Sequence, residues 1–285
     1  MSQRRHPDWL KVPLGGGEQY ALVRKQLRKA RVHTICEEAK CPNIGECFSR
    51  GTATFLILGN KCTRNCRYCN VSHGKPEPVD PDEPKNIAES VRKLGLSYAV
   101  ITSVTRDDLK DGGATHFFKT ITEIKTHNPN CQTEVLIPDF KGDADALDTV
   151  LSAKPVVLNH NIEVVKSLFP TMRPQGDYHQ SLQLLKKSKQ INPSIPTKSG
   201  FMIGLGETTD EILHLLDDLR TVEVDYLTIG QYLQPSLNHA QVKKYYTPSE
   251  FDFLKEKALE KGFVHVESGP LVRSSYRAES FVKSD

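Results

Sequence analysis

Short apolar, β-branched runs alternate with longer amphipathic segments through the middle of the chain. The runs predict strands at 54–58, 98–102, 133–137, 156–159, 198–203 and 226–229. The segments between them predict helices at 83–94, 114–127, 178–190 and 208–220, with turns at Gly112-Gly113 and Asn128-Pro129. Crossover helices between successive strands imply a parallel sheet that is covered on its outer face.

This alternation defines a central α/β segment with an extension at each end. Six units are fewer than the eight of a closed barrel, so an incomplete (β/α)6 barrel and a doubly wound sheet both fit. We expect three parts, at 1–50, 51–245 and 246–285, with the first and last outside the alternation. Polar residues that follow the predicted strands are candidates for lining a site: Asn60, Ser103, Asn159, His160 and Gln231.

Composition narrows the class of protein. The 285 residues include 38 Lys and Arg against 35 Asp and Glu, a formal charge of +3 that is too balanced to indicate nucleic-acid binding. No stretch approaches the roughly 18 consecutive apolar residues of a membrane span. We therefore expect a cytoplasmic protein that binds neither membrane nor nucleic acid.

Cysteine is unevenly distributed. Six of the seven cysteines lie between positions 36 and 69, and only Cys131 lies elsewhere. A disulfide framework spreads along a small secreted chain, whereas clustered cysteines in a reducing compartment usually bind metal. The pattern favours metal.

Cys62, Cys66 and Cys69 have the spacing C-x3-C-x2-C and follow the first predicted strand. Three thiolates can hold three irons of a cubane cluster and leave the fourth iron open to a substrate. A zinc site is the alternative, but structural zinc is four-coordinate and only His73 is near enough in sequence to be the fourth ligand.

Cys36, Cys41 and Cys47, the first cysteine group along the chain, have the spacing C-x4-C-x5-C, and Cys62, Cys66 and Cys69 are the second cysteine group. If the first group holds another cubane, its last iron needs a ligand from elsewhere or a bound substrate. Cys131 is a chemical candidate, although a lone cysteine at a strand start is more often an inert buried residue.

The loop from Cys62 to Cys69, with Tyr68 before its last cysteine, resembles the signature of the radical S-adenosylmethionine superfamily. The resemblance implies a [4Fe-4S] cluster that binds S-adenosylmethionine and cleaves it to a 5'-deoxyadenosyl radical. It also implies contacts between that cofactor and residues at the strand ends. The cofactor-binding candidates are Tyr68, Thr102, Ser103, Asn159, Lys198, Gly204 and Gly206. For Gly204 and Gly206 a tight strand-to-helix turn is the structural alternative.

Further motifs resemble the lipoyl synthase family from about Trp9 to Ala278: CEEAKCPNIGEC, TSVTRDDLKDGGA, LNHNIE, GLGET, IGQYLQPS and GPLVRSSYRAES. The resemblance implies a sulfurtransferase with two [4Fe-4S] clusters, in which Ser275 is the fourth ligand of the second, auxiliary cluster. Radicals from two molecules of S-adenosylmethionine would remove hydrogen at C6 and C8 of an octanoyl chain, and each carbon would take sulfur from the auxiliary cluster. The rival interpretations are a radical methylthiotransferase and a non-enzymatic two-cluster electron carrier.

The resemblance also implies partners. The octanoyl chain would be carried on a lysine of a lipoyl domain or a glycine cleavage H-type protein, and reduced ferredoxin or flavodoxin would supply electrons. Five basic residues crowd one predicted helix and either dock an acidic carrier or form a solvated face. They are Arg24, Lys25, Arg28, Lys29 and Arg31. His160, Arg173 and Tyr178 are further candidates for shaping the pocket.

Overall fold

The computed structural model describes residues 7–12 and 15–281. The strands are β1 (His33–Thr34), β2 (Thr54–Ile57), β3 (Lys61–Cys62), β4 (Ser72–His73), β5 (Tyr98–Ser103), β6 (Gln132–Leu136), β7 (Val157–Asn159), β8 (Thr197–Ile203), β9 (Tyr226–Gln231) and β10 (His265–Gly269). All six predicted strands are confirmed, each within about two residues at its ends.

The helices are α1 (Glu18–Ala30), α2 (Ile35–Glu38), α3 (Ile44–Ser49), α4 (Glu83–Leu94), α5 (Ala114–His127), α6 (Ala144–Ser152), α7 (Phe169–Met172), α8 (Tyr178–Ile191), α9 (Thr209–Thr221) and α10 (Pro248–Glu260). Short 3-10 turns occur at Asp8–Leu10, Phe140–Gly142, Lys166–Leu168 and Ala278–Phe281. Helices α9 and α10 both begin with a capping box, in which Thr208 or Thr247 exchanges hydrogen bonds with the glutamate three residues later.

The main sheet has the order β1-β2-β5-β6-β7-β8-β9-β10. Every neighbouring pair is parallel except β1 with β2, which is antiparallel. The sheet is open, because β1 and β10 are its edges in the described chain. The structure is therefore an α/β fold with an unclosed barrel, as expected for the incomplete (β/α)6 prediction.

One expectation about the chain ends is wrong. Residues after 245 do not lie outside the alternation, because α10 is followed by β10, which pairs in parallel with β9 from His265 to Gly269. The sequence of β10, HVESG, is short and mostly polar, and its strand pattern is correspondingly weak. The sheet thus gains a seventh parallel strand.

The strands are packed between helices and an inner cavity. Phe55, Ile101, Val135 and Leu158 are fully buried and pack with the inner faces of α4, α5 and α6. A second apolar cluster joins β8, β9 and β10 to α8, α9 and α10. None of the described helices is long and apolar enough to cross a membrane.

Candidate functional site

One cavity of about 560 Å³ lies inside the curved sheet. Its size is within the roughly 300–1,000 Å³ of small-molecule sites. The six clustered cysteines and Ser275 all line it: Cys36, Cys41, Cys47, Cys62, Cys66, Cys69 and Ser275. Both cysteine groups, which are separate motifs in the sequence, therefore face the same space.

The second cysteine group follows a sharp turn at the end of β2. Leu58 has φ 67°, a strained conformation for a leucine, and Gly59 continues it with φ 85°. Hydrogen bonds hold this turn from both sides: Leu58 N donates to Glu83 Oε2 at 2.7 Å, and Arg106 Nη1 donates to Leu58 O at 3.1 Å. Gly113 packs so closely on Leu58 that a Cβ there would lie 2.2 Å from Leu58 Cδ1. The loop is thus directed into the cavity by its neighbours.

Backbone amides point at the first sulfur of this loop. The N–H groups of Arg64 and Thr105 donate to Cys62 Sγ at 3.4 and 3.3 Å. Hydrogen bonds to cysteine sulfur of this kind are part of how proteins tune iron-sulfur sites. Burial raises the pKa of the Cys69 thiol to about 12 and also raises that of Cys66. These thiols are therefore protonated at neutral pH until a metal displaces the proton.

Arg64 fixes the same loop to two neighbouring strand ends. Its guanidinium donates to both carboxylate oxygens of Asp107, at 2.7 and 2.9 Å, and to both of Asp139, at 2.6 and 2.8 Å. Arg64 is 5% exposed and Asp139 is fully buried. A planar guanidinium matches two carboxylates in this forked geometry, which a lysine cannot reproduce.

The first cysteine group comes from the short helices α2 and α3. Cys36 lies on α2, Cys47 on α3, and Cys41 between them. Burial, and then the adjacent Cys41, raise the pKa of Cys36 to about 12, whereas hydrogen bonds from Thr54 act in the opposite direction. Burial likewise raises the pKa of Cys47 to about 11, again with Cys41 as the next cause. The mutual influence shows that the three thiols are close neighbours.

The segment that carries Ser275 enters the cavity from the carboxyl-terminal end of the chain. Thr54 Oγ1 donates to Ser275 Oγ at 2.8 Å, and Asn161 Nδ2 donates to Ser274 Oγ at 2.5 Å. Arg273 lies near Cys41 and lowers the pKa of that thiol against the larger effect of burial. Thr54 touches both Cys36 and Ser275, so the serine hydroxyl stands beside the first cysteine group.

The described residues contain no group of three His, Cys, Asp or Glu side chains arranged to hold one metal ion. In a cubane cluster each thiolate binds a different iron, so the sulfurs need not converge on a single point. The shared cavity wall, rather than a single-ion cage, is the arrangement found here for both cysteine groups.

The cofactor-binding candidates divide into two sets. Tyr68, Thr102 and Ser103 line the cavity, as do His160 and Arg173. Ser103 Oγ, His160 Nε2 and Arg173 Nε are buried without a hydrogen-bond partner within the described chain. Buried polar atoms of this kind usually meet a ligand or water, so they mark this wall as a binding surface.

The other candidates are placed differently from the sequence interpretation. Lys198 does not face the cavity: its Nζ lies 3.1 Å from Glu134 Oε1 in a fully buried ion pair. Asn159 Nδ2 donates to the same carboxylate at 3.2 Å. Both side chains compensate the buried Glu134 charge and do not line the cavity.

Gly204 and Gly206 also lie outside the cavity lining. They have φ 107° and 117°, and Glu207 accepts hydrogen bonds from the backbone N–H groups of Gly204 and Leu205. A Cβ at Gly204 would lie 2.1 Å from Gln231 Nε2. Local turn geometry therefore accounts for these glycines.

Three other sequence candidates are also outside the site. Tyr178 donates its hydroxyl to Asp218 at 2.8 Å, and Cys131 is buried at the start of β6; neither lines the cavity. In α1, Arg24 lies against Tyr20 and 3.8 Å from Glu37. The basic residues that follow it, Lys25, Arg28, Lys29 and Arg31, are exposed.

Glu163 and Asn161 are cavity residues that the sequence interpretation did not single out. Glu163 has φ 73°, and Asn161 Nδ2 donates to its Oε1 at 3.2 Å. Burial raises the pKa of Glu163, while Arg173 acts to lower it. Both residues follow β7 within the LNHNIE motif, and that position was the only signal available in the sequence.

The open parallel sheet, with a three-cysteine loop after its first parallel strand, defines the radical S-adenosylmethionine class of enzymes. The sequence model described as the Radical SAM superfamily matches residues 56–219. Methylornithine synthase has the same fold, with a TM-score of 0.57 at 13% identity, and covers 92% of this chain and 86% of its own. Membership implies S-adenosylmethionine and a [4Fe-4S] cluster.

The chain belongs to the lipoyl synthase family. A second sequence model, the N-terminal domain of lipoyl synthase, matches residues 1–41. The lipoyl synthase of Halalkalibacterium halodurans is 54% identical over 98% of this chain and 92% of its own length. That of Caldicellulosiruptor saccharolyticus is 54% identical over 99% of both. The protein is thus an enzyme of the sulfurtransferase type, and neither rival interpretation, methylthiotransferase or electron carrier, is retained.

Proposed function

We propose that this enzyme inserts two sulfur atoms, at C6 and C8, into an octanoyl chain carried on a lysine of a partner protein. The observation that carries the proposal is the shared cavity: Cys62, Cys66 and Cys69 line the same space as the first cysteine group and Ser275. A chain placed between the two groups would have its carbons within reach of both.

The residues present fit two iron-sulfur clusters. Each group offers three thiols to the cavity, the first sulfur of the second group accepts two backbone N–H bonds, and Ser275 offers an oxygen beside the first group. When bound, the cluster at Cys62, Cys66 and Cys69 supplies the electron that splits S-adenosylmethionine, and the cluster at Cys36, Cys41, Cys47 and Ser275 supplies sulfur. An oxygen ligand binds iron more weakly than a thiolate does, which suits a cluster that must be opened.

The protein contributes binding and shielding. Apolar side chains line the cavity wall, including Leu56 on β2, Val100 on β5 and Leu136 on β6. They suit an alkyl chain, and they exclude the water that would consume a radical. The unpartnered polar atoms of Ser103, His160 and Arg173 favour a polar cosubstrate in the same cavity.

Tyr68, Thr102 and Ser103 are the proposed contacts for S-adenosylmethionine, because they line the cavity beside the second cysteine group. The carrier is proposed to be a lipoyl domain or a glycine cleavage H-type protein, with reduced ferredoxin or flavodoxin as electron donor, in the cytoplasm. Free thiols at all seven cysteines agree with a reducing compartment.

Two measurements test this function. Anaerobic purification should give about eight iron and eight sulfide per chain if both groups hold cubanes. Incubation with reductant, S-adenosylmethionine and an octanoylated carrier protein should then give deoxyadenosine together with a carrier that has gained sulfur. Deoxyadenosine formed without sulfur in the carrier would contradict the proposal while leaving the superfamily assignment intact.

A further inference from the structure

Phe281, the last described residue, is buried with 2% of its surface exposed. Its ring centroid lies 4.4 Å from that of His265 and 5.4 Å from that of Tyr226, the first residues of β10 and β9. The Lys198 ammonium lies 4.0 Å from the Phe281 ring centroid. Phe281 therefore covers the amino-terminal ends of strands β8, β9 and β10, where its ring faces a buried cation.

The Lys198 ammonium is one member of the buried ion pair with Glu134. Glu134 accepts from Lys198 Nζ at 3.1 Å and from the Tyr98 hydroxyl at 2.8 Å, and both members of the pair are fully buried. A buried ion pair contributes little net stability by itself, and Lys198 makes a further contact with the Phe281 ring. An ammonium over an aromatic ring is attracted most strongly where water is excluded, as it is here.

The segment between β10 and Phe281 carries Ser275. Its start is fixed by Asn43 Nδ2, which donates to Leu271 O at 2.7 Å, and by the close approach of Val272 O to Gly230. Beyond Ser275, the side chains of Tyr276 and Arg277 contact Glu46, and Glu279 pairs with Arg50 at 3.1 Å, but such part-exposed contacts contribute little. Burial of Ala278 and Phe281 is what holds the segment on that side.

We propose that Phe281, held by Lys198, is a positioning residue that keeps Ser275 beside Cys36, Cys41 and Cys47. The proposal rests on the function above, in which Ser275 completes the ligand set of the auxiliary cluster. Neither Phe281 nor Lys198 lines the cavity, so they act through the backbone of the Ser275 segment. The lysine that the sequence interpretation assigned to the cofactor thus serves the other end of the site.

The test uses a full-length parent variant in which Cys62, Cys66 and Cys69 are all changed to Ala, so that bound iron reports only on the first cysteine group. The reconstituted protein is mixed anaerobically with an iron chelator, and the rate of iron loss is followed. Phe281→Ala should lose iron about tenfold faster or more, because truncating a buried aromatic residue removes more free energy than that factor requires. Phe253→Ala, an exposed phenylalanine on α10, is the matched control and should leave the rate unchanged.

Two further variants separate the ring from its burial. Phe281→Leu keeps an apolar side chain, and Glu134→Gln combined with Lys198→Met removes the cation without leaving a lone buried carboxylate. Each should accelerate iron loss by between about threefold and thirtyfold, the range expected for losing one cation-π contact from exposed to fully desolvated. If Phe281→Ala does not fold, these milder variants still test the positioning role of Phe281.

Hydrogen exchange on the same proteins gives a readout that does not depend on turnover. Amides at 273–277 should exchange faster in Phe281→Ala, while those of β8 and β9 keep their protection. Unchanged iron loss in the Phe281 variants, or equal acceleration of exchange throughout the sheet, would overturn the positioning role. A parent variant that binds no iron would instead refute the proposed function.

Discussion

Arg64 is the residue whose removal should most disturb the loop of the second cysteine group. It is 5% exposed and forms four hydrogen bonds to two carboxylates, one of which, Asp139, is fully buried. Arg64→Met would leave Asp139 with only the longer ion pair to Arg173, at 3.9 Å, and should cost up to about 3–5 kcal/mol in free energy of unfolding, the value for breaking a buried pair. Arg64→Lys should cost less, because a single ammonium keeps the charge but cannot pair with both carboxylates in the same forked geometry.

Urea unfolding of the iron-free chain measures this effect. Adding Asp139→Asn to Arg64→Met should recover part of the loss, because it removes the buried charge, whereas Arg92→Met, at an exposed arginine on α4, should have no measurable effect. Iron reconstitution at Cys62, Cys66 and Cys69 should fall in Arg64→Met. One net hydrogen bond contributes about 1 kcal/mol. If the free energy of unfolding of Arg64→Met differs from that of the unmodified chain by less than about this amount, the assigned role of Arg64 is wrong.

Other residues give sharper local tests. Burial, and then Arg173, lower the pKa of His160 to about 4. Because the unfolded chain binds this proton more readily, the free energy of unfolding should fall by about 3 kcal/mol as the pH drops from 6.5 to 4. Urea unfolding measures this dependence, and His160→Gln should abolish it. Thr54→Val removes the hydrogen-bond donor to Ser275 and should lower the free energy of unfolding by about 1 kcal/mol. It should also release iron from the first cysteine group faster than the control Thr122→Val, which changes an exposed threonine. Charge reversal at Lys25 and Arg28 should reduce the salt dependence of turnover on an acidic carrier, and an unchanged dependence would remove the docking role.

Periodicity was sufficient to predict the strands that are buried on both faces. The runs that became β2 and β5 are mostly apolar and are bounded by turns, so local pattern and tertiary burial agree. Strand β10 was missed because its residues are mostly polar and only partly buried; it forms because α10 returns the chain to the edge of β9. Tertiary pairing, not local preference, decides such a strand.

The cysteine groups were predictable because ligand spacing is written in the sequence, and the structure adds that both face one cavity. The placement of Lys198 was not predictable, because its partner Glu134 is 64 residues away and lies on the same buried surface only after the sheet forms. The position of Ser275 beside Thr54 likewise spans 221 residues. Family motifs indicated Ser275, whereas no local pattern indicates which lysine will be neutralised in the interior.

In the proposed reaction, the cluster at the first cysteine group supplies the sulfur that enters the product. Clusters reconstituted with a heavy sulfur isotope, in protein transferred to unlabelled solution, test it directly when octanoylated carrier and S-adenosylmethionine are added. The intact enzyme should transfer labelled sulfur to the carrier, and the Cys41→Ala variant should form deoxyadenosine without any sulfur transfer. Unlabelled sulfur in the product of the intact enzyme, or labelled product from Cys41→Ala, would contradict this origin of the sulfur.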